Sequence, residues 1–79
     1  MAEEDRVAVA FGEVIREHRT RMGLSQERLS FVCDRHRTYV SMIERGRNSP
    51  SLLTIWRLAK ALDTRPSTLI RQVERRVDL

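Results

Sequence analysis

LSQERLSFVCDRHRTYVSMIERG, running from Leu24 to Gly46, decides how the rest of the chain is read. It predicts two short helices joined by a tight turn. Ser25 is placed to cap the first helix by accepting a hydrogen bond from a free backbone N–H. Leu29 and Val32, at i and i+3, form the inward stripe of that helix. Asp34 falls in the turn, where a residue tolerant of left-handed backbone is needed. In the second helix Val40 and Ile43 point inward, which leaves Arg37, Thr38, Ser41 and Met42 pointing outward. Gly46 suits the left-handed position that ends a helix. A helix that opens on polar, basic side chains and closes on glycine makes a probe for the DNA major groove.

Working outward, Val7, Phe11, Val14, Ile15, His18 and Met22 recur at helical spacing. They predict a first helix from Arg6 to Met22, closed by Gly23 and preceded by a frayed arm over residues 1–5. The central pair spans Gln26 to Val32 and Arg37 to Arg45. Ser49-Pro50-Ser51 reads as a turn leading into a cap. A fourth helix from Leu52 to Leu62 is expected to carry Leu52, Ile55, Trp56, Ala59 and Leu62 on one side. Pro66 fits the first position of a last helix running to Val73 or a little beyond. No strand pattern, repeat or linker is visible. The expectation is an all-α, compact five-helix fold in a single domain over residues 1–79.

None of these helices is long enough to be stable alone, so a shared core must hold them. Its candidates are Phe11, Val14, Ile15, Leu24, Leu29, Val32, Val40, Ile43, Leu52, Ile55, Leu58, Ala59, Leu62 and Leu69. Seventy-nine residues make a marginal core, which invites support from a partner subunit. The net charge is +4, and fourteen of the fifteen basic residues are arginine. Arginine makes forked bonds to phosphate and guanine, so the bias suits nucleic acid. One cysteine excludes an intrachain disulfide and suggests a reducing compartment. No apolar run is long enough to span a membrane, and the acidic MAEEDR start is unlike a signal peptide. A cytoplasmic protein is expected.

The chain resembles the Cro/C1-type helix-turn-helix regulators, also called xenobiotic-response-element (XRE) regulators, whose fold is lambda-repressor-like. The matching strings are Gly23-Leu24-Ser25-Gln26-Glu27, Arg37-Thr38-Tyr39-Val40-Ser41 and Ile43-Glu44-Arg45-Gly46. Arg47-Asn48-Ser49-Pro50-Ser51-Leu52 and Leu58-Ala59-Lys60-Ala61-Leu62 follow in order. The resemblance implies a sequence-specific transcriptional regulator that binds double-stranded DNA as a homodimer on a palindromic operator. It implies that Arg37, Thr38 and Tyr39 face base edges and phosphates, with Ser41 and Met42 further along. Gln26 would bridge a phosphate and the reading helix, and Arg47 and Asn48 would follow the DNA backbone. An ion pair between Arg19 and Glu44 would fix the angle between the first and third helices. Arg35 and His36 depart from the usual pattern, an aliphatic residue and a hydroxyl cap. Arg35 is expected to swing out to a phosphate, while His36 is left to cap weakly, to contact phosphate, or to do neither.

Short length and the Arg-Thr-Tyr and Arg-Asn strings resemble, more narrowly, the controller proteins of restriction–modification systems. A phage-like repressor, an antitoxin, and a helix-turn-helix protein-interaction module stay open as alternatives, and RNA polymerase is a candidate further partner. Ile70, Val73 and Val77 would line the dimer surface on the last helix. His18, Cys33 and His36 lack metal-ligand spacing, and Cys33 reads as a core thiol. No nucleophile elbow or phosphate-cradling loop is present. Neither catalysis nor a cofactor or metal is expected.

Overall fold

The computed structural model describes residues 2–77. It contains five α-helices in the order α1 (Glu3–Arg21), α2 (Gln26–Val32), α3 (Tyr39–Glu44), α4 (Leu52–Ala61) and α5 (Pro66–Arg76). None of the described helices is long and apolar enough to cross a membrane. The longest helix, α1, packs against α3 on one side and α5 on another, while α2 meets α3 and α4. The local stop signals act as the sequence predicts. Ser25 and Ser51 accept the Arg28 and Thr54 N–H groups at 2.9 and 3.2 Å. Asp34, at φ 57°, turns the chain between α2 and α3.

The helix bounds differ from expectation at two points. Residues 3–5 are not a frayed arm. Glu3, Glu4 and Asp5 form the first turn of α1, where their carboxylates lie next to the free N–H groups and positive end of the helix. The third helix starts at Tyr39 rather than Arg37, because residues 34–38 are tied up as a turn.

The core is built from Ala10, Phe11, Val14, Ile15, Leu29, Cys33, Val40, Ile43, Leu58, Ala59, Leu62, Leu69 and Val73. Leu24 and Ile55 are partly buried against it. Three expected contributors to the buried faces are instead exposed: Val32, Leu52 and Trp56, the last two at 69% and 54%. On α2 the buried side runs through Leu29, Ser30 and Cys33, so the stripe follows i, i+4 and leaves Val32 at its edge. On α4 it runs through Thr54, Leu58 and Leu62, turned away from Leu52 and Trp56. A buried threonine, satisfied by hydrogen bonds, displaced the apolar stripe that hydrophobicity alone selects. On α5, Val73 shares the face of Leu69 rather than that of Ile70 and is 7% exposed.

Gly12 has no counterpart in the sequence reading. A Cβ there would lie 2.3 Å from the Ile43 carbonyl oxygen and 2.9 Å from that of Glu44. Only a residue without a side chain lets α1 and α3 approach this closely.

Candidate nucleic-acid interface

The turn into α3 is mounted on a buried hydroxyl. Ser30 is fully buried on α2; its Oγ donates to the Arg37 carbonyl at 3.3 Å and accepts the Val40 N–H at 3.0 Å. Its own carbonyl accepts the Arg35 N–H at 2.9 Å. One side chain thus sets the path of the turn into α3. Nothing in the sequence marks Ser30, since serine on a helix face reads as solvated. Cys33 closes α2 beside it. Burial pushes its thiol above the ordinary value, against the opposing pull of Arg57 and Arg35, so it stays a protonated core group.

His36 and Thr38 shape the exposed start of α3. The Thr38 N–H donates to His36 Nδ1 at 3.3 Å, and Thr38 Oγ1 lies 3.0 Å from the same nitrogen. The Tyr39 N–H donates to the His36 carbonyl at 2.9 Å. His36 therefore hydrogen-bonds locally within the turn. Arg37 is exposed just before the helix, Tyr39 and Ser41 are half-buried, and Met42 is exposed. Arg35 is exposed, and part of its guanidinium is engaged within the protein. Its Nη2 donates to Thr54 Oγ1 on α4 at 3.0 Å, and its guanidinium carbon sits 5.2 Å from the Tyr39 ring centroid.

The last residue of α3 is Glu44, whose side chain is 3% exposed. Its carboxylate accepts from Arg19 Nε and, at 3.0 Å, from Arg19 Nη2. It also accepts from Gln26 Nε2 at 3.0 Å. Arg19 Nη1 donates to the Leu24 carbonyl at 2.8 Å. The bonds to Glu44 raise the Arg19 pKa beyond its ordinary value, although burial opposes the shift. One carboxylate thus pins α1, the loop after it, α2 and α3 together. Gln26 is held on α3 by this bond while remaining at the first position of α2.

After α3 the Arg47 N–H donates to the Met42 carbonyl at 3.0 Å, and Gly46 takes φ 71° against Val9. Arg47 is exposed and Asn48 half-buried. Both line a shallow cleft with Glu4, Asp5 and Ala8 from the first turns of α1. Across residues 35–48 the charged side chains are Arg35, Arg37, Arg45, Arg47 and the single acid Glu44. Because Glu44 is paired with Arg19, the exposed charge of this segment is entirely positive. Such a surface favours polyanions.

A helix-turn-helix family profile matches residues 15–69, which span α2, α3, α4 and most of the core. The chain belongs to the Cro/C1-type helix-turn-helix family of DNA-binding transcriptional regulators. Among similar proteins in this family, Control protein C.BamHI of Bacillus amyloliquefaciens is 43% identical over 65 residues, covering 81% of this chain and 80% of that protein. Control protein C.SmaI of Serratia marcescens is 43% identical over 61 residues, covering 76% and 73%. In three dimensions this helix-turn-helix protein is similar to the restriction–modification controller protein C.AhdI of Aeromonas hydrophila. The TM-score is 0.75 at 48% identity, over 78% of this chain and 90% of that one.

Proposed function

We propose that this regulator is a controller protein of a restriction–modification system, binding a palindromic operator as a homodimer. The observation that carries the reading is that the exposed charges of the segment from Arg35 to Asn48 are all positive, on a backbone held by Glu44 and Ser30. Its likeness to C.BamHI and C.AhdI over most of the chain supports the controller assignment within the family. Arg37, Thr38, Tyr39, Ser41 and Met42 read or flank base edges. Arg47 and Asn48 follow the backbone, and Gln26 reaches a phosphate from the start of α2. Selection of bound duplexes from a random pool tests this. A palindromic consensus upstream of a methyltransferase or nuclease gene is the expected result; recovery of no consensus would overturn it.

Within that consensus, Arg37→Ala is expected to lose about 1–3 kcal/mol of discrimination at one base pair, the worth of a bidentate contact. The variant should melt like the parent, because the Arg37 side chain is exposed and only its carbonyl is used by Ser30. Competition binding against operators substituted at each position checks this. Undiminished preference at every position would remove Arg37 from the reading set.

Pairing follows from size. One copy extends 32 × 22 × 21 Å and offers a single reading helix. Successive major grooves on one DNA face are about 34 Å apart, so two copies are needed to read both. On the surface expected on α5, Val73 packs mainly into its own core and Val77 is half-buried. Ile70 remains 47% exposed, on a shallow, mostly apolar groove lined also by Val7, Val73, Glu74 and Val77. Leu52, Leu53 and Trp56 on α4 add a second apolar surface that the sequence reading had assigned in part to the core. The homodimer uses both helices. Ile70→Asp and Trp56→Asp are each expected to yield monomers with weakened operator binding. Analytical ultracentrifugation at tens of micromolar checks this; a monomeric parent, or dimers persisting in both variants, would rule the surface out.

A further inference from the structure

We propose that Arg35 is a positioning residue for the reading helix, acting through Tyr39 and Thr54 and not through DNA phosphate. The inference rests on the DNA-binding reading above. Arginine donates and never accepts, so Thr54 Oγ1 must be the acceptor of the 3.0 Å bond from Arg35. The Thr54 hydroxyl also shares a hydrogen bond with Ser51 Oγ, 2.9 Å away. Ser51 Oγ accepts the Thr54 N–H and so caps α4. These bonds link the turn before α3 to the N-terminus of α4. Thr54 is 1% exposed, so its hydroxyl has no water to replace Arg35.

The guanidinium simultaneously lies over the Tyr39 ring, 5.2 Å from its centroid. Stacking of this kind restrains the plane of an otherwise rotatable ring. Tyr39 is the first residue of α3, so its hydroxyl is aimed by a group anchored on a different helix. Arg35 is fixed at its own backbone as well, through the N–H bond to the Ser30 carbonyl. Arg35 is exposed, but with its backbone fixed and Nη2 committed to Thr54, its guanidinium is oriented within the protein before any DNA arrives. An aliphatic residue at this place in the turn, usual in the family, would supply neither the bond to α4 nor the charge over the ring.

The test is operator affinity across a salt series for the parent, Arg35→Met, Arg35→Lys, Thr54→Val and the Arg35→Met/Thr54→Val double variant. A brace predicts that Arg35→Met and Thr54→Val each weaken binding several-fold, at most about tenfold, because the turn before α3 loses one bond to a charged group. The double variant then binds no worse than Arg35→Met, because the two residues share one interaction. The slope of log affinity against log salt stays that of the parent, because no phosphate contact is lost. Arg35→Lys behaves like Arg35→Met, since an ammonium lacks the planar fork that bonds Thr54 and stacks on the ring together. A phosphate contact predicts the opposite: a slope shallower by about one unit in Arg35→Met and near-parental binding in Arg35→Lys. That outcome, or additive losses in the double variant, overturns the brace while the DNA-binding reading stands. A parent that binds no duplex selectively overturns both.

Discussion

Glu44→Ala is expected to destabilise the protein by about 3–5 kcal/mol, the typical cost of stranding one partner of a buried ion pair. The Arg19 side chain is 13% exposed and would keep its charge beside an empty space where the carboxylate was. Gln26 would lose its partner on α3 at the same time. A domain of this size has roughly 5–15 kcal/mol of stability in all, so a loss on this scale removes a large share. In melting temperature it corresponds to about 4–8 °C for each kcal/mol. Glu44→Gln should fall between parent and Glu44→Ala, because it keeps a neutral acceptor for one or two of the bonds. Arg19→Ala should approach Glu44→Ala, since it strands the carboxylate instead. Urea titrations of the three variants measure this. A midpoint unchanged in Glu44→Ala would mean that the helices are aligned by apolar packing alone.

The second large effect is expected at Gly12. Alanine in a helix interior is ordinarily favoured over glycine by about 0.5–1 kcal/mol. At Gly12 the added Cβ meets the Ile43 carbonyl oxygen at 2.3 Å and the Glu44 carbonyl oxygen at 2.9 Å. Both are backbone atoms, so relief requires α1 and α3 to separate. Overpacking of this kind costs about 1–3 kcal/mol and sometimes more, which exceeds the propensity gain. Separation also loosens the Arg19–Glu44 contact across the same pair of helices. Gly12→Ala should therefore melt lower and bind operator less well, since α3 shifts relative to its mount. Gly23→Ala is the useful comparison. It meets no atom within 4 Å and pays only for φ +72°, about 1–2 kcal/mol. Thermal melting and operator titration of both variants separate steric from conformational cost. A Gly12→Ala protein more stable than the parent would show that the α1–α3 spacing is adjustable.

The order of the helices and the place of the α2–turn–α3 unit were legible because their determinants act over a few residues. Ser25 and Ser51 cap from within one turn, and Asp34 and Gly46 mark the left-handed corners by their own backbone tolerance. Arg37-Thr38-Tyr39 stand at the start of α3 by position alone. Those features need no knowledge of what packs where. Tertiary structure decided the faces. Val32, Leu52 and Trp56 are apolar at helical spacing yet exposed, and Val73 is drawn into the core while Ile70 stays wet. Burial depends on which neighbour a helix meets, and a rotation of one residue's width along a short helix changes the answer. The groups that hold the reading segment were invisible for the same reason. Ser30, Thr54 and Gly12 are small or polar residues whose value lies in a partner many positions away. For Arg35 the sequence offers only a charge on a turn; its approach to Thr54 and Tyr39 exists only in the folded chain.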